Sequence, residues 1–167
     1  SFTNGSWKQK MKLNKKIFFS ALLAGIGSAF TIALLSFGTY ETEIGLFLMA
    51  SFGSSMVLIF GYPEGPFSQP KNIFFAHLLT SFIGVFFVNF FPINFITIGL
   101  AVGLGVMLMI IFKIIHPPAG GNSIIVMIGG VSYEFLLFPV VIGSIIIIFM
   151  GILYNRFLLK KKYPVNW

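Results

Sequence analysis

The apolar second half of the chain is interrupted by the stretch Lys113-Ile114-Ile115-His116-Pro117-Pro118-Ala119-Gly120-Gly121-Asn122-Ser123. Two prolines stop the preceding helix, because proline has no amide hydrogen and restricts the backbone of the residue before it. The Ala-Gly-Gly that follows allows a tight turn and a close approach to a ligand. Asn122 and Ser123 can then cap a new helix. This stretch therefore predicts a helix, a break and a new helix start.

The break has two possible roles. The start of a helix exposes amide N–H groups and a partial positive charge, which attract anions. Lys113 and His116 flank it, so an anion site built from Pro117, Pro118, Gly120, Gly121, Asn122 and Ser123 is one interpretation. A simple Pro-Pro loop between two helices explains the same residues without a ligand. The residues by themselves leave both roles open.

The apolar sequence on both sides of the break indicates an integral membrane protein. Of the 167 residues, 57% are hydrophobic and only 9% are charged, against roughly 25% charged in soluble proteins. The charged residues are too few to cover a water-facing surface. We therefore expect an all-α integral membrane fold, a single transmembrane domain over 1–167, with the lipid bilayer as its main partner.

Six hydrophobic segments carry this fold: Ile17–Gly38, Ile44–Gly61, Ile73–Phe91, Ile93–Ile115, Ala119–Val131 and Phe135–Phe157. A bilayer core of ~30 Å needs about 20 apolar residues in a helix. The fifth segment, at about 1.5 Å per residue, covers only ~20 Å. The second is rich in Gly and Ser around Ser51–Ser55 and can be broken as well. Two of the six helices are therefore expected to be short or interrupted.

Basic clusters at the two ends of the chain predict the topology. The lysine-rich segment 1–16 precedes the first apolar run, and Arg156, Lys160, Lys161 and Lys162 follow the last. Such clusters flank membrane spans on the cytoplasmic side and contact anionic lipid, so a nucleic-acid partner is not expected. The first run is longer than a signal-peptide core and is read as a retained helix. Six crossings place both termini in the cytoplasm, in a multi-pass protein of the cell (inner) membrane; four crossings, with the two short segments re-entrant, is the alternative.

The two halves of the chain resemble each other. The run Gly53–Gly61 aligns with Gly121–Gly129 at an offset of 68 residues, within larger repeats 17–91 and 93–159. Three crossings in each half make the second repeat inverted relative to the first. Transporters often have this design, with short interrupted helices at corresponding positions around the substrate site. Chance similarity between apolar sequences is the alternative.

The first half carries its own polar residues near its short segment. Gly53, Ser54 and Ser55 offer small side chains and hydroxyls, and the following loop contains Gln69, Lys71 and Asn72. A surface connection accounts for that loop equally simply. His77 lies about one turn inside the third segment, where an ionisable residue is a functional candidate by default; a neutral histidine bonded to a neighbouring helix is the alternative.

Several kinds of chemistry find no support in the sequence. There is no cysteine and no aspartate, and the only two histidines are far apart in the chain. No metal-ligand spacing, catalytic triad or phosphate-binding loop can be recognised. We therefore expect no metal, no cofactor and no enzymatic activity.

Three ordered motifs resemble the HPP family of small integral membrane proteins. The first is Phe52-Gly53-Ser54-Ser55 with Val57–Gly61, the second is Ser68–Ile73 followed by His77, and the third is His116-Pro117-Pro118-Ala119-Gly120. Lys71 stands where that family usually has arginine. The resemblance implies a transport-type protein, since plant members are associated with nitrite movement across the chloroplast envelope. The family is usually described with four membrane helices, which differs from the six segments found here.

These observations favour a transporter or channel for a small inorganic anion, with nitrite as the leading substrate. Ser54, Ser55, Asn122 and Ser123 would replace part of the anion's hydration shell near the middle of the membrane. His77 and His116 would tune the charge or carry a coupled proton. The alternative is a non-transporting interaction or sensor subunit. Small residues at spacing four, such as Gly99 and Gly103, also allow a homo-oligomer.

Overall fold

The computed structural model describes residues 15–43, 45 and 47–166 and is built from helices, with no strand among those residues. Its helices are α1 Lys15–Tyr40, α2 Ala50–Gly61, α3 Pro70–Phe90, α4 Phe95–Ile111, α5 Asn122–Gly129 and α6 Leu136–Leu158. A 3-10 turn, Pro117–Gly121, leads directly into α5. Apart from Lys15 and Lys16, which begin α1, the basic segment 1–16 lies outside the described residues.

Local sequence explains where several helices begin and end. Asn94 caps α4, because its Oδ1 accepts from the amides of Ile96 and Thr97. The helix α5 ends at Gly130, whose left-handed backbone (φ 57°) suits glycine. The helix α6 is interrupted near its start by non-helical backbone at Phe138, just before Pro139.

The second helix is shorter than its hydrophobic segment, Ile44–Gly61. It begins at Ala50, after extended backbone at Met49. The amides of Phe47 and Leu48 donate instead to Thr39 Oγ1 at 3.0 and 2.9 Å, which ties the entry segment to the end of α1. Hydrogen bonds that a helix would use are thus made with a side chain of the neighbouring helix.

Large apolar side chains cover the outside of the bundle, as expected for lipid contact. Three helices, α1, α3 and α6, are long and apolar enough to cross a membrane, and α2 and α4 are shorter apolar helices. The helix α1 is almost entirely peripheral, with 6% of its apolar window buried, whereas half of the α3 window is buried. The helix α3 is therefore the central element, and it packs against α4, α5 and α6.

One end of the bundle is defined by contacts of the segment that follows α6. Tyr163 OH donates to the carbonyl oxygen of Ser68 at 2.7 Å. Gln69 Oε1 accepts from the amides of Val165 and Asn166 at 2.8 and 3.2 Å. The α2–α3 loop and the C-terminal segment therefore lie together, and we call this end the tail end.

Two further contacts assign the remaining connections. Asn72 Nδ2 donates to the carbonyl oxygen of Ile115 at 2.9 Å, so the connection between α4 and α5 also lies at the tail end. Phe47 contacts Phe138 edge to face, with ring centroids 5.4 Å apart, at the opposite end of the bundle. Each of α2 and α5 consequently runs between the two ends, in opposite directions.

The two short helices pack in matching ways. An added Cβ at Gly84 of α3 would lie 2.8 Å from Val126 of α5, and one at Gly151 of α6 would lie 2.5 Å from Ile59 of α2. Val126 follows Ile59 by 67 residues, and Gly151 follows Gly84 by the same interval. The packing is thus equivalent one residue away from the offset read from sequence. The inverted repeat itself stays a prediction.

Candidate functional site

Four buried polar side chains meet where α2, α3 and the break before α5 come together. Ser55 lies on α2, His77 on α3, His116 just before the 3-10 turn and Asn122 at the start of α5. None of the four has measurable exposed surface. We call these four residues the histidine cluster. Folding thus joins the break predicted from sequence to the serine-rich short helix of the first half.

A single hydroxyl bridges the two imidazole rings. Ser55 Oγ lies 3.1 Å from His77 Nε2 and 2.8 Å from His116 Nε2. The rings themselves meet edge to face, with centroids 5.0 Å apart. The carbonyl oxygen of Ser51 lies 3.1 Å from the same hydroxyl. Since one hydroxyl has one proton, its partners must be ordered by the rings around it.

The outer ring sets the tautomers of the whole chain of hydrogen bonds. His116 Nδ1 lies 2.7 Å from the carbonyl oxygen of Phe67, which can only accept, so Nδ1 carries the hydrogen. In the neutral ring Nε2 then accepts from Ser55. His77 Nε2 therefore donates to Ser55 Oγ, and His77 Nδ1 accepts from Asn122 Nδ2 at 2.9 Å. The bonds run in one direction, from Asn122 to Phe67.

The start of α5 is also fastened directly to α3. Asn122 Nδ2 lies 3.1 Å from Ser81 Oγ, and Ser123 Oγ donates to the carbonyl oxygen of Thr80 at 2.9 Å. Asn122 Oδ1, although buried, has no hydrogen-bond partner among the described residues. His77 is seven residues from the start of α3, so the cluster lies about 10 Å from the tail end rather than at mid-bundle.

Apolar groups close the walls of the histidine cluster. The ring of Phe52 meets His77 edge to face at 5.1 Å between centroids. Gly84 allows α5 to approach α3, because a Cβ there would lie 3.0 Å from the backbone of Ser123. The polar chain is therefore enclosed in a dry environment, where each hydrogen bond is strengthened and each unmet polar group is costly.

The two predicted lysines are not part of this cluster. Lys71 and Lys113 are both exposed. Lys71 lies at the rim of an apolar cavity of about 570 Å³ between α3 and the end of α4, lined also by Phe75, Leu78, Leu79, Phe82, Phe112 and Ile114. The structure therefore places these fixed positive charges at the surface, since a buried lysine without an anionic partner would be costly.

Other predicted residues divide into two groups. Gly53 and Ser54 occupy the exposed face of α2, Pro117 is exposed, and the half-buried residues of the turn are Pro118, Gly120 and Gly121. Gln69 and Asn72 hold the loops of the tail end together. Gln69 Nε2 donates to the carbonyl oxygens of Pro63 and Gly65 at 3.0 and 2.8 Å. Both residues thus position the entry to the histidine cluster without joining its hydrogen-bond chain.

Sequence reasoning did not identify the carbonyl oxygen of Phe67, which determines the tautomer of His116. A backbone acceptor carries no side-chain signal, so only the fold reveals it. Thr80 and Ser81 follow His77 by three and four residues, a spacing that places them near the same helix face. Among the described residues no group of three or more His, Cys, Asp or Glu side chains could hold a metal ion.

Comparison with known proteins agrees with this architecture. The family model described as "HPP, transmembrane region" matches residues 14–164. Two relatives from Dictyostelium discoideum, both described as transmembrane proteins, are each 32% identical, over 161 and 128 residues. These alignments cover 92% and 72% of this chain but only 51% and 45% of the relatives, so the chain spans about half of their length. No solved structure matches.

The family model covers most of the chain, and it includes α2, α3 and the break that together build the histidine cluster. The chain therefore belongs to the HPP transmembrane family.

Proposed function

We propose that this protein is a membrane transporter or channel for a small inorganic anion, with nitrite as the leading substrate. The observation that carries the proposal is the histidine cluster, a fully buried chain of Ser55, His77, His116 and Asn122 inside a bundle with an apolar surface. Ionisable and polar groups are expensive within a membrane protein, and they commonly mark a pathway for ions or substrates.

The position of the cluster supports transport. It lies where both short helices meet the central helix α3, and interrupted helices of this kind surround the substrate site in many transporters. The equivalent packing of α5 on α3 and of α2 on α6 supports two related halves, whose relative movement would open the closed cluster to each side in turn. Hydroxyl, amide and imidazole donors would then replace part of the anion's hydration shell.

The proposal includes the topology inferred from sequence, with six crossings and both termini in the cytoplasm of a cell (inner) membrane. It includes no chemical reaction, because the chain has no cysteine or aspartate, and the only paired titratable side chains in the cluster are two hydrogen-bonded imidazoles.

Uptake of nitrite into proteoliposomes tests the function directly. We expect uptake well above that of empty liposomes, with both His77→Ala and His116→Ala abolishing it. Ser20→Ala, an exposed substitution on α1, is the control that should transport normally. Uptake equal to that of empty liposomes at several pH values would refute transport of nitrite.

A thermal-unfolding assay separates transport from the alternative of a non-transporting interaction or sensor subunit. Binding to the folded state raises stability by mass action, so nitrite should raise the unfolding temperature of the detergent-solubilised wild type and not of His116→Ala. If His116 only caps the break, His116→Ala should lose stability but keep transport.

A further inference from the structure

We propose that the histidine cluster is a proton relay, in which one proton passes from His77 through the Ser55 hydroxyl to His116 for each anion transported. The inference rests on the proposed function and specifies the coupling ion, the order of the carriers and the polarity of the chain.

An anion in this cluster needs a positive charge that the resting site lacks. Lys71 and Lys113 are exposed, and the rings of His77 and His116 are neutral in the hydrogen-bond pattern found here. Removing an anion from water without a compensating charge is costly. A proton on either imidazole would supply that charge, so loading the relay and binding the anion would favour each other.

Electrical work favours the same coupling. Moving one elementary charge against a membrane potential costs ~2.3 kcal/mol per 100 mV. An anion that travels with one proton carries no net charge, so this cost disappears.

The surroundings contain no competing charge. Of the other titratable groups on the elements packed around the rings, Glu64 and Lys71 are exposed. Tyr163 donates its hydroxyl to the carbonyl oxygen of Ser68, and the ring of Tyr154 packs on Phe60. Among the described residues, the relay thus consists of two imidazoles and one hydroxyl.

The hydrogen bonds are oriented for transfer toward the tail end. A proton arriving at His77 Nδ1 makes that ring doubly protonated. Its Nε2 proton passes to Ser55 Oγ as the hydroxyl proton of Ser55 passes to His116 Nε2. His116 then releases its Nδ1 proton near Phe67, at the tail end. One proton enters and one leaves, and each ring ends in the opposite tautomer, which resets when the hydroxyl and rings reverse their bonds.

Asn122 contributes a second, independent feature. Its buried Oδ1 has no partner while its Nδ2 donates to His77 Nδ1 and Ser81 Oγ. When His77 Nδ1 carries a proton, a half-turn of the amide would present Oδ1 to that N–H and to the hydroxyl of Ser81. The unmet acceptor of the resting state is thus satisfied in the loaded state, so the amide acts as a switch at the inner end of the relay.

Proton flux and nitrite flux can be measured in the same proteoliposomes. A pH-sensitive dye inside the vesicles reports proton movement when a nitrite gradient is applied with no pH gradient and with the potential clamped by potassium and valinomycin. For wild type we expect about one proton per nitrite. Ser55→Ala should lower proton movement ~100-fold, at the low end of the effect of a positioned proton-transfer group. Ser144→Ala, which removes another buried hydroxyl outside the cluster, should match wild type.

Each outcome of this measurement has a distinct meaning. Nitrite uptake without proton movement, or coupling in Ser55→Ala equal to wild type, overturns the relay and leaves the transport function standing. Absence of nitrite uptake by wild type overturns the proposed function.

A second measurement on wild type tests the relay even if Ser55→Ala fails to fold or nitrite is not transported. In ¹⁵N-histidine NMR spectra of the protein in nanodiscs, His77 should carry its proton on Nε2 and His116 on Nδ1. The two rings should take up one proton jointly on acidification. Identical tautomers, or two independent titrations, would overturn the relay.

Discussion

At the scale of single residues, one hydroxyl organises the interior of this protein. Ser55 connects two imidazoles that are 39 residues apart in the chain, and no other side chain contacts both Nε2 atoms within the described residues. Sequence reasoning named Ser55, His77, His116 and Asn122 as separate candidates. It could not predict the order of donors and acceptors, since that order depends on the backbone oxygen of Phe67.

Replacing Ser55 with alanine should destabilise the protein by ~1–3 kcal/mol, because buried ring nitrogens lose their partner. The matched variant Ser144→Ala removes a buried hydroxyl that has no partner, so its effect should stay within about 0.5 kcal/mol. Unfolding of the detergent-solubilised protein by SDS measures both. Equal effects of the two substitutions would show that the bridge does not stabilise the fold.

Tyr163 provides a prediction about alkaline pH. Burial raises the pKa of its phenol, and its hydroxyl donates to the carbonyl oxygen of Ser68. A folded-state pKa above the unfolded value of about 10 stabilises the fold fully below that pH, and this contribution is lost as the pH rises above it. Stability of wild type should therefore fall more steeply above pH ~10 than that of Tyr163→Phe.

Tyr133→Phe, at an exposed tyrosine, is the control and should follow the wild-type pH profile. Parallel profiles for wild type and Tyr163→Phe would contradict the raised pKa.

At the scale of helices, small residues decide how the short helices reach the histidine cluster. The helix α5 contacts α3 at Gly84, and α2 contacts α6 at Gly151. Without these glycines the backbones would stand further apart, and Asn122 would not reach His77. Sequence spacing predicted the two short helices, but it could not show which long helix each would contact, because that choice depends on how the chain is folded back.

Gly84→Ala and Gly151→Ala should each destabilise the fold by ~1–3 kcal/mol through overpacking. Their added methyl groups would lie 2.8 Å from Val126 and 2.5 Å from Ile59, respectively. Gly99→Ala in α4 meets no atom within 4 Å and should be neutral or up to about 1 kcal/mol more stable. SDS titration compares the three. A neutral result at both Gly84 and Gly151 would argue against close packing at these sites.

At the scale of the whole molecule, the contacts of the tail end favour six crossings over four. The α2–α3 loop and the α4–α5 connection lie beside the C-terminal segment, so α2 and α5 pass from one end of the bundle to the other. Length and composition alone identify three helices long enough to span, because α2 and α4 are shorter and α5 shorter still. Irregular entry segments such as 47–49 cover the remaining distance.

Single cysteines test this topology cleanly, since the chain has none of its own. With six crossings, Glu64→Cys and Lys113→Cys should react with a membrane-impermeant maleimide from the side of the C-terminus. Ser132→Cys should react only from the other side. With four crossings, Glu64→Cys and Lys113→Cys would react from the same side as Ser132→Cys. A cysteine at Asn166 provides the reference for the C-terminal side.

The sequence by itself determined that this is a helical membrane protein, that its fifth segment is short, and that His116 lies at a helix break. These features are local: apolar content selects lipid as the solvent, and two prolines end a helix wherever they occur. Only the tertiary structure decided that Lys71 and Lys113 stay outside while Ser55, His77, His116 and Asn122 come together. The physical reason is that burial is a property of the packed bundle: unpaired lysines remain at the surface, while neutral polar groups can be enclosed once each finds a hydrogen-bond partner on another helix.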